Sequence, residues 1–121
     1  MTKGYIYVYH FDEPLSHAQH YVGSTVSPLA RAARHAEGHG ARITQVLSEL
    51  AKTWRIAAVY SLKENCPLTL REVELLAKAR HNGGHFCPIC TGGTVDHPPT
   101  WTQQVPIPQL TSKEVISYAK D

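Results

Sequence analysis

Two short runs near the start of the chain, YIYVY at residues 5–9 and HYVGST at residues 20–25, constrain the fold more than anything that follows. Tyr, Ile and Val in alternation are strand formers, and two such runs separated by a polar stretch with a proline predict a β-hairpin. The first strand is expected over residues 4–11, the connection over DEPLSHAQ, and the second strand over HYVGST. Ser27 followed by Pro28 then opens a helix, because a hydroxyl caps well and proline's missing N–H costs nothing at the first helical position. Strand, strand, helix is therefore the opening of the domain.

The remaining elements follow from spacing. The first helix should run from Pro28 to Ala36 and stop at the glycines of EGHG. A second, over residues 41–52, has Ile43, Val46, Leu47 and Leu50 as its buried stripe. WRIAAVYSL, residues 54–62, reads as a third strand. Thr69 and Glu72 form a T-x-x-E capping box for a helix through Arg80, with Leu70, Val73, Leu76 and Ala77 turned inward. Beyond residue 90 the chain turns proline-rich and reads as irregular, until Thr111 and Glu114 offer a second capping box. The expected class is α/β (α+β): a small sandwich with a short, mainly antiparallel three-stranded sheet, order β-β-α-α-β-α. Residues 1–90 form the domain and residues 91–121 a Pro-rich extension with a short terminal helix.

A chain of 121 residues with 42% hydrophobic and 18% charged residues supports one globular core. No apolar run approaches the roughly 20 residues of a membrane span, and MTKGYIYVYHF lacks a signal-peptide pattern, so a cytoplasmic location is expected. The net charge of +2 is unremarkable, but Arg31, Arg34, Arg42, Lys52 and Arg55 fall within residues 31–55 against only Glu37 and Glu49. Such a segment suits a phosphate backbone, or is simply a solvated helix face. Arg34, His39 and Arg42 are the candidate nucleic-acid contacts.

Arg31, Arg34 and His35 lie at i, i+3 and i+4 and share one helix face, beside the end of the HYVGST strand. Tyr5, Tyr7 and Tyr9 share one face of the first strand, and buried phenols need hydrogen-bond partners. A Glu on the later REVELLAKAR helix would add a carboxylate for a hard divalent cation, or would pair with Lys78 one turn on. Cys87 and Cys90 form a C-x-x-C pair, CPIC. They are half of a zinc site that His81, His85 or His97 could complete; lacking a second such pair, packed thiols are the preferred reading.

This order of residues resembles the GIY-YIG endonuclease family. YIY at Tyr5–Tyr7 stands where the family has G-I-Y, and YVG at Tyr21–Gly23 matches the second half. Arg31 falls eight residues after that glycine, His35 follows one turn later, and Glu74 matches the metal-binding glutamate better than Glu72. The chain departs from the pattern where Tyr5 replaces the first glycine, and where Phe86 to Ile89 stand at the position of a usual Asn. The resemblance covers residues 4–90 and implies hydrolysis of DNA phosphodiesters by an in-line water. It implies Tyr7, Tyr21, Arg31, His35 and Glu74 as catalytic residues, with Glu74 holding Mg²⁺ or Mn²⁺. Either Tyr7 or His35 would be the base, and a homodimer would extend the DNA contact. The alternatives are a DNA-binding module of the same fold without turnover, and a zinc-stabilised interaction protein built around CPIC.

Overall fold

The structure, a computed structural model, describes residues 4–15, 18–79, 81–93, 95 and 97–120. The chain runs β1 (Tyr5–Leu15), β2 (Ala18–Thr25), α1 (Pro28–Ala36), α2 (Arg42–Glu49), β3 (Trp54–Leu62) and α3 (Leu70–Lys78). A 3₁₀ turn (His81–Phe86), β4 (Thr102–Val105) and α4 (Ser112–Lys120) complete it. The strands form one antiparallel sheet in the order β2-β1-β3-β4.

The expected three-stranded sheet is thus corrected to a four-stranded antiparallel sheet flanked by four helices. The missing strand, TQQV, lies in the proline-rich segment and pairs with β3 through Val59↔Val105 to Leu62↔Thr102. At four residues, with Pro106 next in the chain, it carries too little alternation to announce itself. The β1–β2 connection is also tighter than the loop expected, since the ladder resumes at Leu15↔Ala18 after an irregularity beyond His10. Asp12 belongs to this outer part of β1 and is held by Thr53 and by Arg55, at 2.9 Å.

β1 is buried on both faces because helices cover both sides of the sheet. Ile6 and Val8 face α3 and the 3₁₀ turn, packing with Val22, Tyr60, Val73, Ala77 and Phe86. Tyr7, Tyr9 and Phe11 face the other way, against Ala32 of α1, Leu47 of α2, Trp54, Ile56 and Val115 of α4. In β3, Val8 pairs with Ala58 and Tyr9 with Ile56, so a bulge at Ala57 keeps both apolar sets pointing inward.

Local signals fixed several boundaries. Both halves of the Thr69–Glu72 capping box form, and Thr111 and Glu114 exchange the same bonds at 3.1 and 3.2 Å. Pro28 opens α1, but the Ser27 side chain makes no cap; its carbonyl accepts the Arg31 N–H. α2 is shorter than expected and leaves Leu50 exposed, while Thr44 is buried with its hydroxyl donating to the Ala41 carbonyl. Residues after β4 return along β3: the Ile56 N–H donates to Leu110 O and Val115 enters the core, a burial worth about 1.5–3 kcal/mol. No helix among the described residues is long and apolar enough to cross a membrane.

Candidate functional site

The tyrosine face of β1 meets α1 at the β2 edge of the sheet. Tyr7 and Tyr9 are buried, Tyr21 of β2 is half-buried, and α1 brings Arg31 and His35 onto them from above. Ring centroids are 4.8 Å apart for Tyr7–Tyr9, 6.2 Å for Tyr7–Tyr21 and 6.0 Å for both Tyr7–His35 and Tyr21–His35. Gly23 is the strand partner of Tyr7, and the phenol lies across it: a Cβ there would sit 2.1 Å from the Tyr7 hydroxyl. The glycine of YVG therefore makes room for the tyrosine of YIY.

Charge in this cluster is unbalanced. The Arg31 guanidinium lies beside the Tyr7 hydroxyl and draws its pKa down. Among the described residues no carboxylate lies within ion-pair distance of Arg31, and its Nε is buried without a hydrogen-bond partner. His35 is fully buried, with the Tyr9 hydroxyl 2.8 Å from its Nδ1. With Tyr9 as donor, the imidazole proton resides on Nε2, the second buried polar atom here without a partner. Gly40 closes over that ring, leaving space for a hydrogen but not a methyl group.

Burial and the neighbouring Tyr21 raise the Tyr7 pKa well above the ordinary phenol value, against the opposing pull of Arg31. Burial, with the charges of Arg31 and Arg34, pushes His35 down to about 4. Both groups are neutral at pH 7. Between that value and an ordinary histidine pKa of about 6.5, the unfolded chain takes up a proton that the folded chain refuses. Stability is therefore full above about pH 6.5 and falls as the pH drops toward 4, by roughly 2 kcal/mol between pH 7.5 and 5. Denaturant unfolding across that range should show the slope reduced in His35→Gln. Wild-type and variant curves that stay parallel would remove His35 as the cause, since His10 and His20, also lowered, remain in both.

Glu74 sits on α3, reaching the same sheet edge from the opposite face. Only 4% exposed, it accepts a hydrogen bond from Ser24 Oγ and ion pairs from Arg71 at 3.0 Å and Lys78 at 2.9 Å. Burial pushes its pKa up, but Ser24 and Lys78 outweigh it and the carboxyl is held below its usual range. The expectation of Mg²⁺ or Mn²⁺ at Glu74 is corrected here. Its oxygens are committed to a hydroxyl and two cations, and the side chains whose ligand atoms do converge are soft donors elsewhere. Glu72 is committed as well, to the Thr69 cap.

Between β2 and α2 runs an open cleft of about 440 Å³, lined by His20, Tyr21, Arg42, Ile43 and Lys78 among others. Lys78 Nζ reaches 5.7 Å from the Tyr21 ring centroid, and Arg34, His39 and Arg42 are exposed nearby on α1, α2 and the turn between them. No family model, curated protein or solved structure matches the chain. The site thus rests on its own geometry.

That geometry holds a second cluster. His10 and His20 are strand partners on the α3 side of the sheet, and Cys87 and Cys90 approach them from the end of the 3₁₀ turn. His10 Nδ1 lies 3.4 Å from His20 Nε2, 3.5 Å from Cys87 Sγ and 3.6 Å from Cys90 Sγ, and His20 Nε2 lies 3.2 Å from Cys90 Sγ. These four side chains could coordinate a metal ion. The preference for packed thiols, and the choice of His81, His85 or His97 as partners, miss this arrangement. His85 and His97 instead line a separate hollow, and the side chain of His81 lies outside the described residues. Tyr9 and Ser24, outside the catalytic set that the resemblance implies, also supply polar partners; strand alternation with Tyr7 places Tyr9 on this face.

Proposed function

We propose that the β2 edge binds a DNA phosphodiester and hydrolyses it, as the likeness to the GIY-YIG pattern suggests. One observation carries the reading: a partly buried guanidinium with no carboxylate partner among the described residues, flanked by phenols and a neutral imidazole. A charge in such a place is costly until an anion arrives. A phosphodiester supplies that anion with oxygens spaced for a guanidinium fork. Arg31 holds the phosphoryl oxygens and stabilises the charge they gain in the transition state. Tyr7, neutral and beside Arg31, donates to a phosphoryl oxygen. Tyr21 and Lys78 border the cleft through which the strand passes, and Arg34, His39 and Arg42 contact flanking phosphates.

A second reading has a specific observation behind it. The ion-paired Glu74, and the neutral states of Tyr7 and His35, suit a module that binds DNA without cutting it. Incubation of the purified chain with supercoiled plasmid and with single-stranded and branched oligonucleotides separates the two. Nicking supports hydrolysis; binding with no cleavage of any substrate leaves the binding module. No measurable affinity for any of them sinks both. Arg42→Ala should weaken binding on all sequences alike and reduce the slope of log affinity against log salt by about 1. An unchanged slope would place DNA away from this cleft.

A further inference from the structure

We infer that His10, His20, Cys87 and Cys90 bind one structural Zn²⁺, a site independent of the phosphodiester reading. The argument is metric. A tetrahedral zinc with nitrogens at about 2.0–2.1 Å and sulfurs at about 2.3 Å requires donor–donor edges of about 3.4 Å for N–N and about 3.6 Å for N–S. The N–N edge is 3.4 Å, and three of the four N–S edges are 3.2, 3.5 and 3.6 Å. All four donors, including both sulfurs, lie within 4.8 Å of one another. Four atoms from three separate stretches of chain thus occupy the corners that a metal needs, with neither cysteine in a disulfide.

The supports behind the ligands are equally specific. His10 and His20 are directly opposed across the β1–β2 ladder, so sheet register sets their separation. The CPIC turn is closed by Cys90 N–H donating to Cys87 O at 3.1 Å, and Thr91 adds bonds from both its N–H and its hydroxyl to the same carbonyl. Pro88 presets the turn. Just before it, the Tyr60 hydroxyl donates to Phe86 O at 2.6 Å, tying the turn to the core. Two nitrogens and two thiolates complete the tetrahedron and leave no open position, the mark of a structural rather than catalytic zinc. The ion would clasp the outer hairpin to chain 77 residues further on, holding β2 where Tyr21 and Val22 line the cleft.

Elemental analysis of the full chain, purified under reducing conditions without added metal, should give one zinc per chain. Exchange with Co²⁺ should give the visible d–d bands and sulfur-to-cobalt charge transfer of a tetrahedral N₂S₂ site. Chelation should lower the melting temperature by about 10 °C or more, reversed by added Zn²⁺. Cys90→Ser, at an exposed position, should roughly halve the charge-transfer intensity or weaken binding at least tenfold, while Cys66→Ser keeps full stoichiometry. His20→Ala serves where Cys90→Ser does not fold. A chain that takes up neither Zn²⁺ nor Co²⁺ overturns the inference, as does an octahedral cobalt spectrum or equal loss in Cys66→Ser.

Discussion

Arg31→Ala is expected to slow phosphodiester cleavage by about 10²- to 10³-fold, while lowering DNA affinity far less. The asymmetry follows from where the guanidinium sits. It projects from α1 toward the Tyr7 hydroxyl, with its Nε buried and unpartnered, whereas the exposed Arg34 and Arg42 are free to hold flanking phosphates in its absence. Ground-state contacts are shared among several cations, but charge on the reacting phosphoryl oxygens grows only in the transition state. A fixed donor there acts mainly on turnover. Arg31→Lys should recover little, because an ammonium keeps the charge but not the planar fork. The measurement is single-turnover cleavage beside equilibrium binding for wild type and both variants. Affinity and rate falling by the same factor would make Arg31 an ordinary binding residue.

What could be read in advance was what is local in the chain. The Thr69–Glu72 and Thr111–Glu114 boxes are bonds across three residues and needed no tertiary information. Arg31 and His35 share a face because helices repeat, and Tyr7 and Tyr9 because strands alternate. Features set by register or helix rotation were hidden. His10 and His20 stand ten residues apart, and only the β1–β2 pairing makes them neighbours. α3 is rotated so that Glu74 turns inward while Leu75 and Leu76 are half-exposed, against the stripe expected from Leu70, Val73, Leu76 and Ala77. That rotation is tolerable because Ser24, Arg71 and Lys78 satisfy the carboxylate, partners that no helical wheel displays. The fourth strand is not legible in sequence because TQQV forms only by adding to an edge that β3 already supplies.

Gly23→Ala should destabilise the fold by about 3 kcal/mol, the upper part of the usual range for overpacking a filled core. The backbone offers no objection, since Gly23 is not among the residues with positive φ. The obstacle is the Tyr7 ring, with its Cζ 2.2 Å and its Cε1 2.8 Å from the position of the new methyl. That ring has nowhere to retreat, being packed against Tyr9 at 4.8 Å, with Tyr21 and His35 beyond. Any shift also moves the hydroxyl away from Arg31, so the substitution should impair the proposed phosphodiester cleavage even where the protein still folds. A double-mutant cycle isolates the contact. Tyr7→Ala alone costs about 3–5 kcal/mol through the cavity it leaves, but in that background Gly23→Ala should cost under about 1 kcal/mol, the methyl now entering vacated space. Denaturant unfolding of the four proteins gives the coupling directly. An equal cost for Gly23→Ala in both backgrounds would mean that the glycine serves the backbone of β2 and not the tyrosine that crosses it.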